Sequence, residues 1–180
     1  MRGFGALLVM VALAAVIHLG FPVVLVADDM MAPGLRSGGW MFMFGLGVEA
    51  APGRLVGFEH KGNRVVRRVV AGPGAKVSFK RGALHIDGLP APLKDDPSGD
   101  VRFTVQRLDK SGGELHKAKA KRETVAGVTY TIWVSAKAGT TRKAVKVPAG
   151  HVFVACDNRS YCRDSRHWGT IPIESIWAAR

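Results

Sequence analysis

The sequence predicts a mainly β protein, a twisted antiparallel β core preceded by one N-terminal transmembrane helix. Three observations carry this. Phe4 to Val26 holds no charged residue, and as a helix rising about 1.5 Å per residue it is long enough to cross a bilayer. After residue 27 the apolar residues fall in short or alternating runs, the period-two signature of strands. Glycine and proline punctuate those runs, and no long stretch of 3.6-residue periodicity follows.

The N-terminal stretch is taken first. Arg2 and the amino terminus mark its cytoplasmic end by the positive-inside rule, so the rest of the chain faces outward. Its one ionisable side chain, His18, falls near the outer interface. A cleaved signal peptide is the rival reading, but Leu25, two residues before Ala27, is too large for the small-residue cleavage pattern. Phe21–Val26, with a proline and a β-branched run, reads as a lead-in strand. Residues 1–27 are therefore assigned to anchor and lead-in, and 28–180 to the β domain. The expected location is a bacterial inner (cytoplasmic) membrane, with the C-terminal domain on the periplasmic or extracellular side.

Strand runs then follow at Trp40–Phe44, Leu55–Phe58, Arg64–Val70, Lys76–Phe79, Ala83–Ile86, Tyr130–Val134 and His151–Ala155. Turn signals separate them, among them Ala51-Pro52-Gly53, Gly72-Pro73-Gly74, Asp87-Gly88 and Pro148-Ala149-Gly150. Residues 94–125 are polar and basic and read as an insertion between two better-packed halves. Within it Lys117, Lys119 and Lys121 alternate, so Gly113–Thr124 is an exposed loop or ribbon as readily as a helix.

Composition narrows the function. A hydrophobic content of 47% excludes general disorder. The net charge is +12, nearly all of it beyond the anchor, and it favours anionic lipid headgroups or acidic partners. Export argues against nucleic acid. The histidines are scattered without metal-ligand spacing, so neither metal nor cofactor is expected. Cys156 and Cys162 are close enough in sequence to form a disulfide outside the cytoplasm, where closing the loop contributes about 2 kcal/mol. Two buried thiols are the alternative.

The stretch from Pro148 to Pro172, including Asp157-Asn158-Arg159 and Asp164-Ser165-Arg166, resembles without a gap the type I signal peptidase block P-x-G-x-x-F-V-x-G-D-N-R-x-x-S-x-D-S-R-x-W-G-x-V-P. Arg67 to Val77 is similar to the family's K-R-V-V-G-x-P-G-D-x-V, and Leu84 to Gly88 to its L-Y-I-N-G. Asp28 to Leu35 resembles S-x-S-M-x-P-T-L, and Glu123 to Ile132 a segment of the variable subdomain. The resemblance implies a signal-peptidase-like β core with its site near the membrane. It also implies scaffold roles for Asp157, Asn158, Arg159, Asp164, Ser165 and Arg166, with Asp164 and Arg166 as an ion pair.

Active relatives cleave peptide bonds with a Ser–Lys dyad. Here the nucleophile position aligns with Met30, a thioether with no proton to lose. The base position aligns with Arg67, which stays protonated and cannot accept one. The oxyanion-hole serine aligns with Asp28, whose carboxylate would repel a developing oxyanion. The base-orienting serine aligns with Cys162. Substitutes are poor. Ser37 lies seven residues past Met30, Lys61 and Lys76 flank Arg67 at a distance, and Asp28 and Asp29 point to opposite faces of an extended segment. A triad of Ser165, His167 and Asp164 would lie within the scaffold block. The expectation is a pseudopeptidase, a serine-protease fold without its chemistry, whose cleft at Met30, Met31, Pro33, Val66 and Arg67 binds exported precursor or pilin-like peptides. An active signal peptidase with unusual machinery, and a structural subunit of an envelope complex, are the alternatives.

Overall fold

A computed structural model describes residues 23–26, 28–45, 47–106, 113–135 and 141–180. Most of the expected membrane segment lies outside them. Among the described residues no helix is long and apolar enough to cross a membrane.

The strands are β1 Val23–Leu25, β2 Trp40–Phe42, β3 Leu55–His60, β4 Asn63–Ala71, β5 Lys76–Lys80, β6 Ala83–Ile86, β7 Leu89–Pro90, β8 Leu93–Gln106, β9 Gly113–Val125, β10 Val128–Ser135, β11 Arg142–Lys146, β12 His151–Ala155, β13 Ile171–Pro172 and β14 Ile176–Ala179. One short helix, α1 Ser165–Trp168, and a 3-10 turn, Ile173–Ser175, interrupt the C-terminal run. Among the described residues the strands pair antiparallel, and an isolated parallel bridge joins Trp133 to Asn158. The largest sheet has the order β13-β12-β4-β3-β14, and β11-β5-β6-β7, β10-β9-β8 and β1-β2 complete the set.

Four hairpins turn through two residues in the left-handed region. They are Lys61-Gly62, Arg81-Gly82, Asp87-Gly88 and Ala126-Gly127, with the first residue of each at φ 51°, 50°, 52° and 48°. Positive φ at both turn positions matches the right-handed strand twist, and glycine supplies the second at no steric cost.

Alternation along β4 and β12 divides the core. Val69, Val152 and Val154 pack with Val56, Phe58 and Ile176 in one buried cluster. Their neighbours Val70, Phe153 and Ala155 pack with Val77, Phe79 and Leu84 in another. Successive strand side chains face opposite ways, so the five-stranded sheet is covered on both faces. Residues 94–125 fall mainly in β8 and β9, a long ribbon rather than a loop or helix. Phe103, Ala118 and Ala120 from its inner face are buried against Trp133 and Ala32, so the lysines that alternate with the alanines face out. A fourth cluster seats Met41 and Met43 on Val66 and Ala178. Gly57 allows the close contact of β3 with Trp177, since a Cβ there would lie 2.7 Å from the indole.

Candidate functional site

The site lies where the Asp28–Leu35 turn crosses the middle of β4. Arg67 projects from β4 and is 2% exposed. Its Nη2 approaches the Met30 sulfur at 2.9 Å. Its Nε donates to Arg163 O at 3.0 Å and its Nη1 to Val66 O at 2.6 Å. The guanidinium also sits 5.6 Å from the centre of the Trp168 ring, which stacks on His60 at 4.0 Å. Burial lowers the Arg67 pKa from its ordinary value, and the Asp28 and Asp164 carboxylates pull it back. Met30 and Arg67, expected at the nucleophile and base positions, are thus in contact as a thioether and a guanidinium.

Neither acid beside Met30 is positioned as a catalytic group. Asp28 Oδ1 accepts the Met30 N–H at 2.9 Å, and Asp29 Oδ1 accepts the Ser37 N–H at 2.9 Å. Ser37 lies on the exposed loop beyond the turn. The Ser165, His167, Asp164 arrangement is not a triad. Ser165 Oγ accepts the Val154 N–H at 3.0 Å in the buried core, and His167 Nδ1 is 3.8 Å from Asp164 Oδ1.

Asp157, Asn158 and Arg159 tie three distant parts of the chain together. Asp157 accepts two bonds from Arg68 of β4, at 2.8 and 2.6 Å. Asn158 donates its N–H to Met30 O at 2.9 Å and its amide to Asp29 O at 3.2 Å, so it fixes the Met30 turn. Arg159 is buried in an ion pair with Glu123 of β9, whose carboxylate also accepts the Tyr130 hydroxyl at 2.7 Å. Asp164 caps α1 and accepts from the Arg166 side chain at 2.9 Å twice, and from Cys156 N at 3.0 Å. Burial would raise its pKa, but the Arg166 bonds and charge outweigh that and hold it below the ordinary value.

Cys156 and Cys162 are joined in a disulfide. Cys162, expected at a base-orienting position, has its sulfur 2.9 Å from Asp164 Oδ2, and the Arg67 Nε bond goes to the Arg163 carbonyl. Cys156, Cys162 and Asp164 bring three ligand-type atoms within 4.8 Å of one another. With the sulfurs bonded together and the carboxylate engaged by Arg166, no thiolate is available to hold an ion.

A cleft of about 40 Å³ opens beside Arg67, between β1 and the first half of β4. Met31, Val66 and Arg67 line it, with Val24, Leu35, Arg64 and Asp28. Met30 and Pro33, expected in the same cleft, are not among its lining residues, although Met30 touches the Arg67 guanidinium. Asp28 was expected at the oxyanion position beside Met30, whereas Arg64 was not foreseen as a site residue. Arg64 lies three positions before Arg67 on the same strand, a spacing that sends the two side chains to opposite faces, so strand alternation did not mark it.

The family model described as "Signal peptidase, peptidase S26" matches residues 1–179. Signal peptidase I of Bacillus caldolyticus is 29% identical over 150 residues, covering 81% of this chain and 69% of that protein. Among solved structures, a signal peptidase I from Enterococcus faecalis V583 aligns with a TM-score of 0.41 and 21% identity, over 72% of this chain and 95% of that one.

Proposed function

This chain belongs to the signal peptidase family, peptidase S26, and from that premise we propose that it is a membrane-anchored pseudopeptidase that retains the cleft as a peptide-binding site. The observation that carries the reading is the 2.9 Å contact between Arg67 Nη2 and Met30 Sδ. It sits where the family places a nucleophile and a base, and it contains neither an ionisable hydroxyl nor a neutral amine. Asp28 beside it adds negative charge where a developing oxyanion needs donors.

Peptide binding needs none of the lost groups. An extended segment added to a strand edge is held by backbone hydrogen bonds and small apolar pockets. β4 pairs with β12 only over its second half, from Arg68 to Ala71. The first half, which carries Val66 and Arg67, borders the cleft instead. The ligands proposed are exported precursor or pilin-like peptides.

The membrane location is supported by the β1–β2 ribbon. Val23 stands opposite Phe42 and Leu25 opposite Trp40, and all four are exposed, as is Phe44. The ribbon follows directly on the apolar segment of residues 4–22. Exposed apolar patches of this kind mark membrane or protein contacts, and tryptophan favours the bilayer interface.

The test is incubation of the detergent-solubilised full chain with a preprotein, beside a Met30→Ser, Arg67→Lys double variant. No cleavage by the unaltered chain and weak cleavage by the variant is the expected pair of results. Cleavage by the unaltered chain would overturn the proposal and point to another nucleophile, Ser37 first.

A further inference from the structure

Arg67 is a buried cation whose bonds all go to neutral atoms. Its partners are the Arg163 and Val66 carbonyls and the Met30 sulfur. A guanidinium has five N–H groups, so these three bonds leave donors to spare. It is not in any ion pair among the described residues. The carboxylates that influence it are engaged elsewhere. Asp28 accepts the Met30 N–H, and Asp164 holds Arg166. A buried charge without a counter-ion is costly, and an anion that reaches it relieves that cost.

The cleft beside Arg67 is open to such an anion. Its volume of about 40 Å³ suits a group of a few heavy atoms, since a water takes about 30 Å³ of the liquid. Met31, Leu35 and Val66 make its walls apolar. Arg64 lines it as a second cation, held over the Trp177 ring at 5.3 Å. Arg64 leaves β4 on the opposite face from Arg67 and adds positive charge at the rim of the cleft, which Asp28 also lines.

Resting on the peptide-binding reading above, we infer that this cleft captures the free C-terminal carboxylate of an extended peptide, with Arg67 as its counter-ion. The preferred ligand is then a peptide that ends at the cleft, such as the released half of a cleaved precursor, and not one that runs through it. A peptide running through presents a neutral carbonyl at that point, which leaves the cation unpaired. A terminal carboxylate presents two oxygens to the planar guanidinium fork.

The test uses the full chain in detergent micelles and fluorescence anisotropy of an N-terminally labelled, apolar ten-residue peptide ending in alanine. Three forms are compared: the free acid, the C-terminal amide, and the same sequence continued by five residues. The acid is expected to bind at least tenfold more tightly than either of the others. In Arg67→Gln the ratio of acid to amide affinity falls to about one. If that variant does not fold, the acid-to-amide ratio of the unaltered chain decides alone. Equal affinity for all three forms, or tighter binding of the continued one, overturns the carboxylate inference and leaves the peptide cleft standing. Binding of none overturns both.

Discussion

Arg67 and Arg68, neighbours on β4, point to opposite faces of the sheet and end in opposite electrostatic settings. Arg68 is clamped by Asp157 through two bonds and lies 4.0 Å over the Tyr130 ring. Arg67 has only neutral partners. Alternation along a strand makes this possible, because adjacent residues can belong to different layers of the fold.

The difference sets two stabilities apart. Arg68→Met leaves Asp157 buried without its partner, a change that costs about 3 kcal/mol. Burial already pushes the Asp157 carboxyl up, against the pull of Arg68, so the variant takes up a proton there. Arg67→Met loses bonds to two carbonyls at about 1 kcal/mol each, but it removes an uncompensated charge. Its net cost is expected below about 1 kcal/mol. Urea unfolding midpoints of the two variants in micelles read the contrast, and equal losses would contradict the assignment of Arg67 as unpaired.

The disulfide gives a second prediction. Cys156 and Cys162 are six positions apart, and closing so short a loop contributes about 2 kcal/mol by chain entropy. The loop carries Asp157, Asn158 and Arg159, which hold β4, the Met30 turn and β9. A Cys156→Ala, Cys162→Ala variant should therefore lose about that much stability. Dithiothreitol should lower the melting temperature of the parent to near that of the variant and leave the variant unmoved. A parent indifferent to the reductant would mean that the bond does not form.

Much of this was legible in the sequence, and the gaps have physical causes. The strands flanked by Asp87-Gly88 and Pro148-Ala149-Gly150 were marked by residues that favour turns. The hairpins at Lys61-Gly62, Arg81-Gly82 and Ala126-Gly127 were not, because lysine, arginine and alanine carry no turn signal and only the glycine does. Charge left β9 open between loop, ribbon and helix and masked β8, since a ribbon with one solvated face and alanines on the other reads as polar. Family spacing located Met30 and Arg67 as partners across 37 positions. It did not show that Asp157 reaches Arg68, 89 positions away, or that Arg159 pairs with Glu123. Those pairs depend on which strands are stacked, which local patterns do not encode. The fold was named correctly as mainly β, while residues 4–22 lie outside the described structure.

Acid stability offers a third prediction. Asp96 accepts the Ser98 N–H at 2.9 Å, the Thr131 hydroxyl at 2.9 Å and Arg122 Nε at 3.3 Å. These bonds, that of Ser98 foremost, lower its pKa to about 2 from an ordinary 3.8. A depressed folded-state pKa means the stabilisation is present above the unfolded value and is lost as pH falls through the folded one. The melting temperature of the parent should therefore fall between about pH 4 and pH 2 more steeply than that of Asp96→Asn. Asp164, also depressed, loses its contribution in both proteins, so the difference between them isolates Asp96. Parallel curves would show that the bonds to Ser98 and Thr131 do not form in solution.

Rebuilding the chemistry tests the site most directly. Met30→Ser alone should cleave nothing, because Arg67 cannot accept the hydroxyl proton. Adding Arg67→Lys supplies an amine in a largely buried position, and burial favours the neutral form a base requires. Activity should then appear, but weakly, since Asp28 still opposes the oxyanion. Asp28→Ser in the same background replaces a repelling carboxylate with a donor, and one such donor is worth about 10² to 10³ in turnover. The triple variant should therefore exceed the double by about tenfold or more. Asp28 Oδ1 also holds the Met30 N–H, so part of the gain is offset by a looser turn. A serine hydroxyl can accept the same bond and recover some of it. Initial rates on a preprotein substrate, double against triple, decide the matter. A triple variant slower than the double would mean that Asp28 serves mainly to hold the turn and does not occupy the oxyanion position.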